Sequence, residues 1–260
     1  MEPFERRPLP GGMHALVSRR LERSGVLAAF LERSGGYSHG PYASLNGSFG
    51  VGDDPAAVAA NRRKVAEAFG VTAFPIPGFV HGTRLMPVGR GRIRDGYDGP
   101  PRAFALADGL HTRSAGMPLG AFSADCVIGV MAAPAEPRVV LFHAGWRGLA
   151  SGMIGRAADL FPQRAEVHVA LGPAIGPCHY EVGEEVVAAV GAGCGRAVAE
   201  RRRGRTYLDL VATTRGALRR EGIRRVDDTG TCTACERDRF FSFRRDGATG
   251  RHLALAMRLR

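Results

Sequence analysis

The sequence predicts a single domain of mixed α and β structure, on three observations. Apolar, strand-like runs alternate with helical patterns along the chain, most clearly after residue 120. The connections between them are short, with no linker, repeat or low-complexity stretch. And 260 residues suit one large domain. At 45% hydrophobic and 23% charged, the composition is ordinary for a globular chain. A chain of this length buries roughly three quarters of its unfolded surface, so its core needs no disulfide or metal.

The elements follow in order. Residues 52–70, "GDDPAAVAANRRKVAEAFG", make the clearest helix: Asp53 or Asp54 can cap it, Pro55 suits its first turn, and Gly70 ends it. Val58, Val65 and Phe69 share one face at helical spacing, and Arg62 falls on that same face. An arginine in a core stripe either snorkels out or aims at something buried. Between Phe74 and Gly109 a Gly/Pro/Arg-rich stretch predicts mixed strand and loop. Ala121–Ala133 and Arg138–Trp146 read as neighbouring strands, with Pro134 and Pro137 in the turn. Ala165–Gly176 is a strand entering a Gly/Pro loop. "YEVGEEVVAAVGAG" and "LDLVATTRGALRREG" read as helices, the second capped by Asp209 and stopped by Gly222. The alternating "RHLALAMRLR" predicts a final strand.

No run of eighteen apolar residues occurs, so no membrane helix is expected. "MEPFERRPLPGG" lacks the apolar core of a signal peptide, and a cytoplasmic location is expected. The net charge of +11 and pI near 10.4 raise nucleic acid as a partner. The basic residues are scattered, however, apart from "ERRRGR" and "LRREGIRR", and no aromatic residues interleave with those clusters as a stacking platform requires. A solvated surface is the plainer reading, and nucleic-acid binding is not expected. Lys64 is the only lysine among 36 basic residues and sits mid-helix, which excludes a Walker-type phosphate loop. Nor does the glycine-rich "SLNGSFGVGDD" match a dinucleotide fingerprint, although Ser44, Asn46 and Ser48 could line a polar pocket.

Several residues could carry chemistry. His143 ends a strand that runs into glycine, a rigid support for a functional side chain. Cys126 lies in the neighbouring apolar segment and His81 stands just before Gly82. Two imidazoles and a thiolate suit a catalytic zinc with an open fourth position. Their spacing matches no compact finger, and on spacing alone a small buried hydrophobe is the better reading of Cys126 and a structural histidine the better reading of His143. "CTAC", Cys232 and Cys235, lacks the second pair that a structural zinc site needs and reads as two free thiols in a loop. Cys178 and His179 are adjacent, and on an extended chain their side chains point apart, which makes a poor nucleophile–base pair. The loop Gly172–Gly176 could offer backbone N–H groups to an anion.

Taken together, "SLNGSFGVGDDPAAVAANR", "VHG", "ADGLHT", "SADC", "HAGWRG", "GPAIGPCHYEVG" and "CTACERDRFFSFRRDGATGRH" resemble, in order and over nearly the whole chain, the laccase-domain family. That family was long described as multicopper polyphenol oxidases and is now regarded as purine nucleoside phosphorylases. The resemblance implies a compact α+β domain of layered mixed β-sheets with flanking helices, spanning residues 1–260. It implies a zinc site on His81, Cys126 and His143. The implied activities are phosphorolysis of adenosine, inosine, guanosine and methylthioadenosine, with adenosine deamination. One bacterial branch is linked to correcting peptidoglycan precursors. Two departures stand out: Phe79 replaces the glutamine usual two residues before the first histidine, and "VIGV" replaces a proline-containing segment after Cys126.

The partners implied are purine nucleosides and phosphate, with a monomer expected. Phosphorolysis needs a phosphate clamp, for which the planar fork of arginine is suited, and Arg62 and Arg147 are the candidates beside Asn46. Cys126, His143 and Arg62 are the expected catalytic residues. Copper belongs to an oxidase alternative, which needs about ten histidines for four coppers. The chain has 8 in all. A hydrolase with Cys126 as nucleophile and His143 as base uses the same residues and stays open.

Overall fold

A computed structural model describes residues 2–100 and 106–259. Residues 101–105 of the predicted strand-and-loop stretch, and Arg260 of the final strand, lie outside them.

Among the described residues, fourteen strands form three sheets, flanked by seven α-helices. The first sheet holds β1 (Phe4–Leu9), β2 (Met13–Ser18), β3 (Val26–Leu31), β6 (Pro118–Ser123) and β14 (His252–Arg258) in the order β1-β2-β3-β14-β6, antiparallel throughout. The second holds β4 (Leu85–Pro87), β5 (Gly109–Thr112), β7 (Val127–Ala133), β8 (Glu136–Ala144), β9 (His168–Leu171) and β13 (Arg225–Asp228) in the mixed order β13-β9-β7-β8-β5-β4. A small third sheet joins β10 (Glu181–Val182), β11 (Ala199–Arg202) and β12 (Arg205–Leu208). The helices are α1 (Arg19–Arg23), α2 (Pro55–Ala68), α3 (Trp146–Ala150), α4 (Met153–Ala158), α5 (Glu184–Cys194), α6 (Leu210–Arg220) and α7 (Phe243–Asp246).

Strand periodicity sorts the core into layers. Side chains alternate across a strand, so each central strand feeds two faces. In β3, Leu27, Ala29 and Leu31 pack with Val65 of α2, whereas Val26, Ala28 and Phe30 face the second sheet. In β7, Ile128, Val130 and Ala132 meet that same interface, whereas Val127 and Met131 pack with Leu149, Met153 and Leu218 from α3, α4 and α6. The order is therefore helix, sheet, sheet, helices, the layered α+β arrangement expected. Burial on both faces explains why β3 and β7 are almost wholly apolar rather than alternating.

The local signals for α2 and α6 hold. Asp54 accepts from the Ala56 N–H at the start of α2, and Asp209 accepts from the Ala212 N–H at the start of α6. Asp53, the other possible cap, instead accepts from Ser38 and Asn46. Four expectations need correction. Ala121–Ala133 is not one strand: β6 ends at Ser123 in the first sheet and β7 begins at Val127 in the second. Residues 124–126 are the crossing between sheets, invisible to periodicity because both flanks are apolar. Arg138–Trp146 ends as a strand at Ala144, and Trp146 opens α3. The helix expected from Tyr180 starts only at Glu184, because Glu181 and Val182 pair with β12. The strand expected over Ala165–Gly176 is confined to His168–Leu171.

Candidate metal centre and substrate cavity

The crossing between sheets builds the site. His143, near the end of β8, pairs with Ile128 of β7, and both turn toward the interface between the two sheets. Cys126 stands one residue before β7, at the crossing rather than inside a strand. His81 comes from the loop before β4. One ligand atom from each of His81, Cys126 and His143 lies within 4.8 Å of the others. The three residues are 45 and 17 positions apart in sequence, yet the fold brings them together.

Asp108, wholly buried beside β5, fixes two of the three. It accepts backbone N–H bonds from His81 at 2.8 Å and Gly82 at 2.7 Å, and its Oδ1 lies 3.1 Å from His143 Nδ1. His81 has φ +59°, a left-handed conformation that costs a non-glycine residue energy and is stabilised by these contacts. With Nδ1 engaged, Nε2 is the donor atom His143 has left. Burial works to raise the Asp108 carboxyl, but the His143 ring and the two N–H groups hold it below the usual range.

In the metal-free cluster the remaining electrostatics favour a thiolate–imidazolium pair. Burial works to raise the Cys126 thiol, yet the His143 and His81 imidazoles bring it down to about 6. Burial disfavours charge on His143, yet the Cys126 sulfur and Asp108 push it up to about 9. A thiolate with two imidazoles is the donor set a zinc site requires once the ion displaces the His143 proton, and the residues fit that ion. Gly145 is part of the same construction. A Cβ there would stand 2.8 Å from Cys126 Sγ, closer than real Cβ atoms come, and a tight 3.3 Å from His81 Cδ2, so the ligands would have to shift.

Above the cluster opens a cavity of about 560 Å³, within the range of small-molecule sites. Phe79, Phe122, Trp146, Tyr180 and Phe243 supply its apolar wall. Phe79, the departure noted above, stacks on the His143 ring with centroids 4.4 Å apart. Among the described residues, four arginines line the cavity: Arg62, Arg147, Arg244 and Arg251. Arg147 is exposed and lies over Trp146 at 4.3 Å, so it can swing toward an anion. Arg251, part-buried, is directed by backbone bonds from its Nη1 to Thr249 and Gly250.

Two expected substrate contacts stand differently. Arg62 borders the cavity but is only 1% exposed: Nε donates to Gly47 O at 2.8 Å, and Nη1 donates to the carbonyls of Gly96 and Tyr97. It is neither snorkelling nor open to solvent, and burial lowers it to about 9. Asn46 is not on the cavity wall. Its Nδ2 donates to Ser48 O and Asp53, and its Oδ1 accepts from the backbone N–H groups of Ser48 and Arg251. A completely buried amide must use its donors and acceptor internally, and this one does so by tying two wall segments together. Of the three polar residues proposed for that loop, Ser48 alone reaches the cavity.

Sequence reasoning missed Asp108, Arg244, Arg251 and Tyr180. Asp108, Tyr180 and the two arginines all lie in stretches that carried the family resemblance. None has a spacing that marks it, since each acts through a fold contact.

The fold and site define a layered α+β protein with a metal-capable Cys/His centre opening into an arginine-rimmed cavity. The chain belongs to the laccase-domain family: the family model described as "Multi-copper polyphenol oxidoreductase laccase" matches residues 27–259. Among its relatives is the "Purine nucleoside phosphorylase YlmD" of Geobacillus stearothermophilus, 38% identical over 248 residues and 89% of each chain. Another is the "Purine nucleoside phosphorylase YfiH" of Escherichia coli, 35% identical over 240 residues, 91% of this chain and 95% of that one. The crystal structure of YlmD from Geobacillus stearothermophilus superposes over all of both chains with a TM-score of 0.88 at 33% identity.

Proposed function

We propose that this chain is a zinc-dependent purine nucleoside phosphorylase that cleaves adenosine, inosine, guanosine and methylthioadenosine, with adenosine deaminase activity. The observation that carries this reading is the juxtaposition of the His81–Cys126–His143 cluster with a cavity that combines aromatic walls and four arginines. Flat aromatic surfaces suit a purine, and guanidinium groups suit phosphate.

In phosphorolysis a phosphate oxygen bonds to the anomeric carbon of ribose, the bond from that carbon to the purine nitrogen breaks, and its electron pair leaves with the base, which takes up a proton. The chain's own residues orient the reactants. Arg147 and Arg251 neutralise phosphate, with Arg244 beside them. Arg62 holds the Gly47 and Tyr97 carbonyls and adds positive field from beneath. Asn46 acts through Arg251, whose backbone N–H it accepts. Phe79 and Tyr180 exclude water from the base. His81, Cys126 and His143 would hold zinc, which when bound polarises an atom beside it and makes hydroxide available for deamination near neutral pH. Thiols free of disulfides suit the reducing cytoplasm.

The test is incubation of the purified protein with inosine and phosphate, with and without chelator. Hypoxanthine and ribose 1-phosphate are expected, and no product from zinc-loaded protein would overturn the reading.

A second reading is favoured by the ionised Cys126–His143 pair: a thiol hydrolase acting on peptidoglycan precursors. Turnover of a muropeptide with one equivalent of zinc removed and the thiol free would support it; loss of all activity with the zinc would exclude it. A copper oxidase is less well supported, because among the described residues only two Cys/His clusters of metal-binding size occur.

A further inference from the structure

A second cluster of donors lies outside the cavity. Cys178 and His179, from the loop after β9, meet Cys232 and Cys235, from the loop after β13. Cys178 Sγ is 3.5 Å from both Cys232 Sγ and Cys235 Sγ. His179 Nδ1 is 3.3 Å from Cys178 Sγ, 3.5 Å from Cys235 Sγ and 3.9 Å from Cys232 Sγ. Two expectations are thereby corrected. Cys232–Cys235 does not lack a second pair, because the fold supplies one from more than fifty residues away. And Cys178 and His179 do not point apart, because residues 177–179 form a turn instead of an extended strand.

We infer that Cys178, His179, Cys232 and Cys235 form a structural zinc site separate from the cavity. The geometry carries the inference. Zinc sits about 2.3 Å from sulfur and about 2.0–2.1 Å from histidine nitrogen, so a tetrahedron around it has edges of roughly 3.8 Å between sulfurs and roughly 3.6 Å between sulfur and nitrogen. The five contacts above, at 3.3–3.9 Å, lie close to five of its six edges, and all four donor atoms lie within 4.8 Å of one another. A disulfide requires sulfurs at about 2.05 Å, well inside these separations. Three cysteines and one histidine close the coordination sphere, as structural sites do, and leave no position for substrate.

The surroundings suit a bound thiolate. The Gly176 N–H donates to Cys232 Sγ at 3.2 Å, and the turn from Cys232 is closed by N–H bonds from Cys235 and Glu236 to its carbonyl. A parallel bridge between Ala174 and Cys232 sets the two loops in register. The site also bears on the cavity without belonging to it. Thr233, between the two cysteines of the turn, donates to Asp125 at 2.6 Å, and Asp125 in turn accepts the Arg244 N–H at 2.8 Å. Asp125 immediately precedes Cys126, and Tyr180 immediately follows His179. Zinc there would pin together the two loops that place Tyr180, Asp125 and Arg244 on the cavity wall.

The inference stands whether or not the chain acts on nucleosides. Zinc is counted by elemental analysis on the full chain purified from zinc-supplemented cells, together with Cys126→Ser and Cys178→Ser/Cys235→Ser variants. The expected contents are about two, about one and about one per chain, with the single zinc of Cys126→Ser lost only to strong chelation. Cobalt titration of Cys126→Ser supplies a readout that needs no further mutation: a sulfur-to-cobalt charge-transfer band and the visible bands of a tetrahedral ion are expected. Chelator should also lower the melting temperature of that variant. Zinc-free Cys126→Ser protein with no tetrahedral cobalt spectrum would overturn the inference. So would a disulfide among the three thiols, seen as a mass about 2 Da lower that reductant restores.

Discussion

Asp108 Oδ1 lies 3.1 Å from His143 Nδ1, and the same carboxylate receives the backbone N–H groups of His81 and Gly82. One buried side chain thus positions two of the three candidate ligands, one through its ring and one through its backbone. Asp108→Asn keeps the shape but exchanges an acceptor for a donor. Loss of such a supporting contact weakens metal binding by about 10- to 100-fold. We expect that loss in chelator competition, with the melting temperature changed little by comparison.

Gly145 has no room for a side chain against Cys126 and His81. Gly145→Ala should therefore displace the ligands and cut metal content and phosphorolysis sharply while the circular dichroism spectrum stays native. Full zinc occupancy and activity in this variant would show that the cluster is looser than its distances imply.

The pairing of Cys126 with two imidazoles brings its thiol down to about 6 from an ordinary value of 9. In metal-free protein, thiolate is then present above about pH 6. Alkylation of Cys126 by iodoacetamide, followed by peptide mass spectrometry, should accelerate through that pH and level off by neutrality. Zinc should protect the residue. Alkylation that rises only above pH 8 would contradict the ionised pair.

Arg147 and Arg62 should separate by readout. Arg147 is exposed, so Arg147→Ala is expected to raise KM for phosphate about tenfold, the worth of one charged contact, without moving the melting temperature. Arg62 is buried against three carbonyls. Arg62→Ala should cost about 3 kcal/mol of stability by leaving them unpaired, measured by urea unfolding.

His252, in β14, is buried with both ring nitrogens unbonded and its ring against the edge of Phe240. Burial pushes it down to about 3 from an ordinary 6.5. The folded state therefore keeps it neutral while the unfolded state takes up a proton. Its stabilising effect is complete above about pH 6.5 and is lost as pH falls toward 3, amounting to about 3 kcal/mol by pH 4. His252→Leu should flatten the fall of melting temperature between pH 6.5 and 4. Equal slopes in the two proteins would show that another group sets acid sensitivity.

The sequence by itself determined what local chemistry can encode. Asp54, Pro55 and Gly70 bounded α2, Asp209 and Gly222 bounded α6, and the alternation of "RHLALAMRLR" marked β14. Its ordered motifs also identified the family and singled out His81, Cys126 and His143. Tertiary structure alone decided the break at residues 124–126, because apolar strands of two different sheets carry the same pattern. It decided that Arg62 is held almost fully buried in the cavity wall and that Asn46 braces that wall from behind, since burial depends on what packs above a helix face or loop. It revealed Asp108 and the Cys178–Cys235 cluster for the same reason. A carboxylate among strands, or two cysteine loops more than fifty residues apart, acquires its partners only when sheet pairing such as Ala174 with Cys232 closes the distance.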